Sequence, residues 1–139
     1  YEITGIQLEL GTVTAFEYRS YGEELALCQR YCEQLTAVSG SPSRLLLGMA
    51  TAQSTTLLYG IYWYKVTKRV SPTTTITGAN QYRTLGPNQG SSITSIGTGD
   101  AAADAWFFTA TSTGYTAGQT NLVQTIDGAT TSITWSAEL

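Results

Sequence analysis

From Leu57 onward, short runs of threonine, β-branched and aromatic residues recur between Gly, Pro, Asn and Asp, a rhythm that commits the chain to an antiparallel β fold. The densest run, Leu57 to Val66 (LLYGIYWYKV), sets Tyr59, Ile61 and Trp63 on one face and Tyr62, Tyr64 and Val66 on the other. Both faces of this strand are therefore expected to be covered. Thr73–Thr77, Ser91–Ile96, Ala105–Thr111, Asn121–Ile126 and Ser132–Leu139 follow as shorter strands. In the last of these, Ile133, Trp135, Ala137 and Leu139 alternate with Thr134, Ser136 and Glu138, which predicts a strand used to the final residue and a natural C-terminus tied into a sheet. Strands at this spacing build a sandwich or a barrel, and no internal repeat supports a solenoid or propeller.

The N-terminal part follows different periods. Tyr1 to Leu10 (YEITGIQLEL) alternates after its glycine, with Ile6, Leu8 and Leu10 on one face, and predicts a strand that begins in mid-pattern and so continues a longer polypeptide. Ser20 and Glu23 stand at capping-box spacing, so a helix is expected to start at Tyr21. Tyr21, Leu25, Cys28 and Cys32 then recur at helical spacing over about three turns. Core packing is the first explanation of that stripe, and a contact between copies the second. The pair Cys28 and Cys32, stacked on one helix face, has no disulfide geometry and predicts free, buried thiols compatible with synthesis in a reducing cytosol. Beyond Tyr31 the helical signal fades, and Ser39-Gly40-Ser41-Pro42 marks a turn.

Composition narrows the function. The 139 residues fit one compact domain, and 42% hydrophobic residues supply a real core. Charged residues make up only 12%, about half the usual share, and Ser and Thr take their place. A net charge of −3 offers nothing to a phosphate backbone, so nucleic acid is not an expected partner. No apolar run reaches the roughly 20 residues a membrane-spanning helix needs, so no membrane insertion is expected.

The segments Gly5-Ile6-Gln7-Leu8-Glu9-Leu10-Gly11 and Phe16-Glu17-Tyr18-Arg19-Ser20-Tyr21-Gly22-Glu23-Glu24-Leu25-Ala26-Leu27-Cys28-Gln29-Arg30-Tyr31 together resemble a signature of phage tail-fibre and virion structural proteins. Arg69-Val70-Ser71-Pro72-Thr73, Thr116-Ala117-Gly118-Gln119 and Ser136-Ala137-Glu138-Leu139 are similar more loosely. Cys32 departs from the pattern, where similar proteins tend to carry an aromatic residue. The resemblance implies that residues 1–17 are the final strand and linker of an upstream carbohydrate-binding-module-like region, and that residues 18–139 form a C-terminal fibre head. It also implies an all-β, jelly-roll-like sandwich with one short N-terminal helix, assembled as a homotrimer. Such a head is made in the host cytoplasm, resides in the virion on a tail or capsid fibre, and attaches the particle to its host. In a trimer the two-faced strand Leu57–Val66 would lend Tyr62, Tyr64 and Val66 to a neighbour, with Leu25 and Cys28 of the helix as a second contact.

The chemistry sought in the chain points away from catalysis. With no His, the Ser-His-Asp and Cys-His arrangements are excluded, and two cysteines cannot build a structural zinc site. Paired carboxylates could cleave glycosides, but Glu23 and Glu24 are explained by the first turn of a helix. Asp100 and Asp104 fit an ordinary turn better than any calcium loop. No enzyme activity, cofactor or metal is expected. Sugar recognition needs aromatic faces beside amides and guanidinium groups, and Asn80, Gln81, Tyr82 and Arg83, with Asn88 and Gln89, have that composition in an expected loop. Tyr82 would be the stacking platform for a host glycan. A purely structural trimerisation or decoration role and a glycan-degrading module are the competing readings.

Overall fold

The computed structural model describes residues 10–11, 15, 18–38, 44–86 and 92–138, so the strand expected over Tyr1–Leu10 lies, but for Leu10, outside the described residues, as do Asn88 and Gln89. One helix, α1 (Tyr21–Gln29), precedes an all-antiparallel set of strands: β1 (Cys32–Ala37), β2 (Leu46–Ala52), β3 (Leu57–Trp63), β4 (Thr73–Thr77), β5 (Tyr82–Leu85), β6 (Ser92–Ile93), β7 (Ser95–Ala101), β8 (Ala105–Thr111), β9 (Thr120–Thr125) and β10 (Thr131–Ser136). Helix α1 starts where expected: Ser20 Oγ accepts from Glu23 N at 3.3 Å and Glu23 Oε2 accepts from Ser20 N at 2.9 Å. The bond from Ser20 N, with a second that Ser20 Oγ donates to Glu23 Oε2 at 3.0 Å, holds the Glu23 carboxyl below its ordinary pKa.

Seven strands form one sheet in the order β6-β5-β9-β2-β3-β8-β7. Its two edge strands, β6 and β7, are separated in the chain by Thr94 alone, so a single run of residues pairs with β5 at one end and β8 at the other. The sheet curls into a nearly closed barrel. Thr94 N and Oγ1 both donate to Thr111 O, at 2.8 and 3.0 Å, and Ser112 Oγ donates to Ser92 O at 2.6 Å across the seam. Near-closure by one continuous run shortens the exposed ladder that an open edge would leave. The remaining strands form a three-stranded sheet, β1-β10-β4, whose inner face shares the barrel's core. The arrangement is thus all-β and antiparallel with one short N-terminal helix, but it is a curled barrel plus a small sheet rather than two equal facing sheets.

Aromatic rings fill the space between the two sheets. Trp135 of β10 stacks on Tyr62 with ring centroids 4.6 Å apart and planes 6° from parallel, and meets Tyr64 and Trp106 edge-on at 5.5 and 5.4 Å. Phe108 lies over its cross-strand partner Gly60, where a Cβ would fall 2.2 Å from the ring, so only glycine admits the ring there. A second glycine, Gly48 with φ 152°, stands where β2 slips register against β9, a bulge that helps the sheet turn.

The aromatic strand runs as expected but is shorter and oriented otherwise than its trimer assignment required. It stops at Trp63, because the partner of Trp63 is Ala105, the first residue of β8. Leu58, Gly60 and Tyr64 are buried and Tyr62 half-buried, whereas Tyr59, Ile61 and Trp63 face out. The helical stripe also breaks short of Cys32. Helix α1 ends at Gln29 and Cys32 opens β1, whose inward positions are Glu33, Leu35 and Ala37. Both thiols are free but exposed, not buried. Finally, Tyr82 and Arg83, expected in a loop, belong to strand β5 between β6 and β9.

Burial has a titration consequence. Desolvation, reinforced for Tyr62 by its bond to Glu33, raises the Tyr62 and Tyr64 phenols well above 10.0, and desolvation raises Tyr82 against a lowering by Thr131. The fold binds these protons more tightly than the open chain, so this stability is intact below pH 10.0 and is lost as pH rises through the folded values. In an alkaline titration followed by tyrosinate absorbance, these rings should ionise only together with loss of structure. Smooth ionisation of every tyrosine near pH 10.0 in an intact fold would contradict the packing.

Candidate functional site

The residues expected to hold a sugar are only partly brought together. Asn80 is exposed on the turn between β4 and β5, and Gln81 is spent on structure: Gln81 Oε1 accepts from Thr130 N at 3.2 Å and Gln81 O accepts from Ile126 N at 3.0 Å. Tyr82 is fully buried, with its hydroxyl 3.1 Å from Thr131 Oγ1, so its ring is no stacking platform. Alternation in the four residues of β5 turns Tyr82 and Thr84 inward and leaves Arg83 half-exposed.

Arg83 joins a polar row that the sequence did not single out. Across adjacent strands, Arg83, Gln124 and Leu46 are register partners on one line, with Arg44 two residues before Leu46 and Asp127 just beyond β9. Arg44 grips Asp127 with Nε on Oδ1 at 2.6 Å and Nη2 on Oδ2 at 2.9 Å, and Arg83 Nη2 stands 4.0 Å from Asp127 Oδ2. With its amide oxygen turned to Arg83, Gln124 accepts from Nε and Nη2, both at 3.2 Å. The bond from Arg44 holds the Asp127 carboxyl below its usual range and raises the guanidinium in turn.

A second surface is apolar. On the outer face of β2, β3 and β8, Trp63 is 66% exposed, Met49 65%, Tyr59 50%, Phe107 47% and Ile61 39%. Ile61 and Phe107 are cross-strand partners, and a groove of about 530 Å³ lies along β2 and β3 beside Met49, Tyr59 and Trp63. No residue of these three strands is charged. Together the five side chains leave on the order of 500 Å² of apolar surface, given about 150–250 Å² per large ring. That is at the top of what a monomer ordinarily exposes. Helix α1 adds to the exposed surface, since it has no buried residue and leaves Tyr21, Leu25 and Leu27 open. Of the residues assigned to a trimer contact, Leu25 and Cys28 are exposed, Val66 is half-buried, and Tyr62 and Tyr64 pack inside against Trp135.

Beneath the helix lies a buried ion pair. Lys68 Nζ donates to Glu33 Oε2 at 2.7 Å and to the Gln29 carbonyl at 2.6 Å, and sits 4.8 Å from the Tyr64 ring centroid. Glu33 also accepts from Tyr62 OH at 2.9 Å and Lys65 N at 3.3 Å. The ammonium thus occupies the negative end of α1 while the carboxylate is satisfied on both oxygens. This network fastens the helix to the barrel and is structural. Its sequence signal was the phase of Glu33 with Leu35 and Ala37, which puts a carboxylate on the inward face of β1.

Among the described residues no cluster of three or more His, Cys, Asp or Glu could hold a metal ion. Comparison with models of known protein families, with curated proteins and with solved structures returned no match.

Proposed function

We propose that this chain is the non-enzymatic, trimeric head of a viral fibre, a β-barrel module that attaches the particle to a host-surface glycan. The observation that carries the reading is the uncharged strip of Met49, Tyr59, Ile61, Trp63 and Phe107 on the outside of the barrel. A standard interface buries about 800 Å² per partner, and in assemblies of identical chains about 65% of that is apolar. The strip supplies an apolar area of that size. Depletion of charge with enrichment of Trp, Tyr, Phe and Met is likewise the composition of an interface core. The resemblance of the N-terminal segments to fibre proteins favours three copies about one axis, with α1 alongside. Rigid presentation of three weak glycan sites then gives avidity where one site would not hold.

The test is the double variant Trp63→Lys with Phe107→Lys. Both side chains point out of the barrel, so the fold should persist by circular dichroism while the assembly falls to monomers and adsorption to host cells is lost. A variant that stays assembled would remove this strip from the interface. An assembled wild-type head that binds no host glycan on an array would leave a structural head only.

A further inference from the structure

We propose that the row formed by Arg83 of β5, Gln124 of β9 and the flanking Arg44 and Asp127 is a site for a carboxylate-bearing sugar, a uronic or sialic acid unit of a surface polysaccharide. The inference rests on the glycan-binding reading above and narrows it from sugars in general to acidic ones.

Two guanidinium groups converge on one carboxylate, so the cluster carries a local excess of positive charge in a chain whose net charge is −3. Each guanidinium has five N–H donors. Arg44 commits two to Asp127, and Arg83 directs two to the Gln124 amide oxygen. The donors beyond these give a planar carboxylate the paired N–H···O contacts that guanidinium makes best. The row is also preorganised. Gln124 is buried and held in register between β5 and β2, and it fixes Arg83, whose side chain is 24% exposed. A ligand therefore meets an Arg83 whose rotamer is already restrained, which lowers the entropy lost on binding. Exposed Asn80, on the neighbouring turn, can address a ring hydroxyl. Asp127, paired with Arg44, competes with the ligand's carboxylate for it.

That competition gives a signature that a neutral-sugar site lacks. The experiment uses the intact chain on an array of acidic oligosaccharides, their methyl esters and neutral oligosaccharides of equal length. Binding should be confined to free acids, fall at least roughly tenfold in Arg44→Gln and in Arg83→Gln, and weaken with added salt. Asp127→Asn should strengthen it severalfold, because the competing carboxylate is gone. Equal binding of acid and ester, or weaker binding in Asp127→Asn, would overturn the acidic specificity while leaving a glycan-binding head intact. Binding of neutral sugars alone, insensitive to Arg44→Gln, would place the sugar elsewhere. Absence of binding to every sugar would defeat both this site and the attachment reading.

Discussion

Lys68→Met should destabilise the fold by about 3–5 kcal/mol, because it leaves the Glu33 carboxylate buried without its cation. The Lys68 side chain is fully buried and that of Glu33 nearly so, so water cannot take the place of the lost partner without opening the structure. The same substitution frees the Gln29 carbonyl at the end of α1 and removes the cation facing the Tyr64 ring. Glu33→Gln alone should also be costly, since it strands the ammonium. The double variant Lys68→Met with Glu33→Gln should recover part of the loss, since it leaves no unpaired buried charge. Urea unfolding of the four proteins gives the coupling directly. A loss below about 1 kcal/mol for Lys68→Met would mean that the pair is solvated in solution.

Trp135→Ala should cost a similar amount, about 3–5 kcal/mol, through the cavity it opens. Trp135 is fully buried and is the ring on which Tyr62, Tyr64 and Trp106 converge, so the three-stranded sheet is locked to the barrel largely through it. Trp135→Phe retains part of the stack and should cost less. Thermal or urea unfolding that ranks the two variants in the opposite order would show that the ring contacts are not what joins the sheets.

The fold was legible where period and punctuation agreed. Thr73–Thr77 and Ala105–Thr111 are strands β4 and β8 with the bounds read from the sequence, and the alternation of Ile133, Trp135 and Ala137 correctly marks their inward face. Alternation tells which residues share a face but not which face is the core, and Leu57–Val66 carries aromatic residues on both. Only the arrival of Trp135 from β10, over a hundred residues after α1 begins, decides that Tyr62 and Tyr64 go inside and Trp63 goes out. β5 was lost because Asn80, Gln81 and the flanking glycines have the composition of a loop, while its own alternation lasts four residues. The candidate sugar site was half visible for the same reason. Arg83 could be named from its neighbours in sequence, but Arg44, Gln124 and Asp127 reach it only through the pairing of β5, β9 and β2. The Glu33–Lys68 contact, 35 residues apart, is likewise a product of tertiary packing.

If other copies of this chain cover the apolar strip on β2, β3 and β8, the mass of the wild-type protein in solution reveals it. Sedimentation velocity at micromolar concentration should give a single species with three times the mass of the chain, reduced to one by Trp63→Lys with Phe107→Lys. A wild-type protein that sediments as a monomer would leave the strip uncovered and refute the trimer.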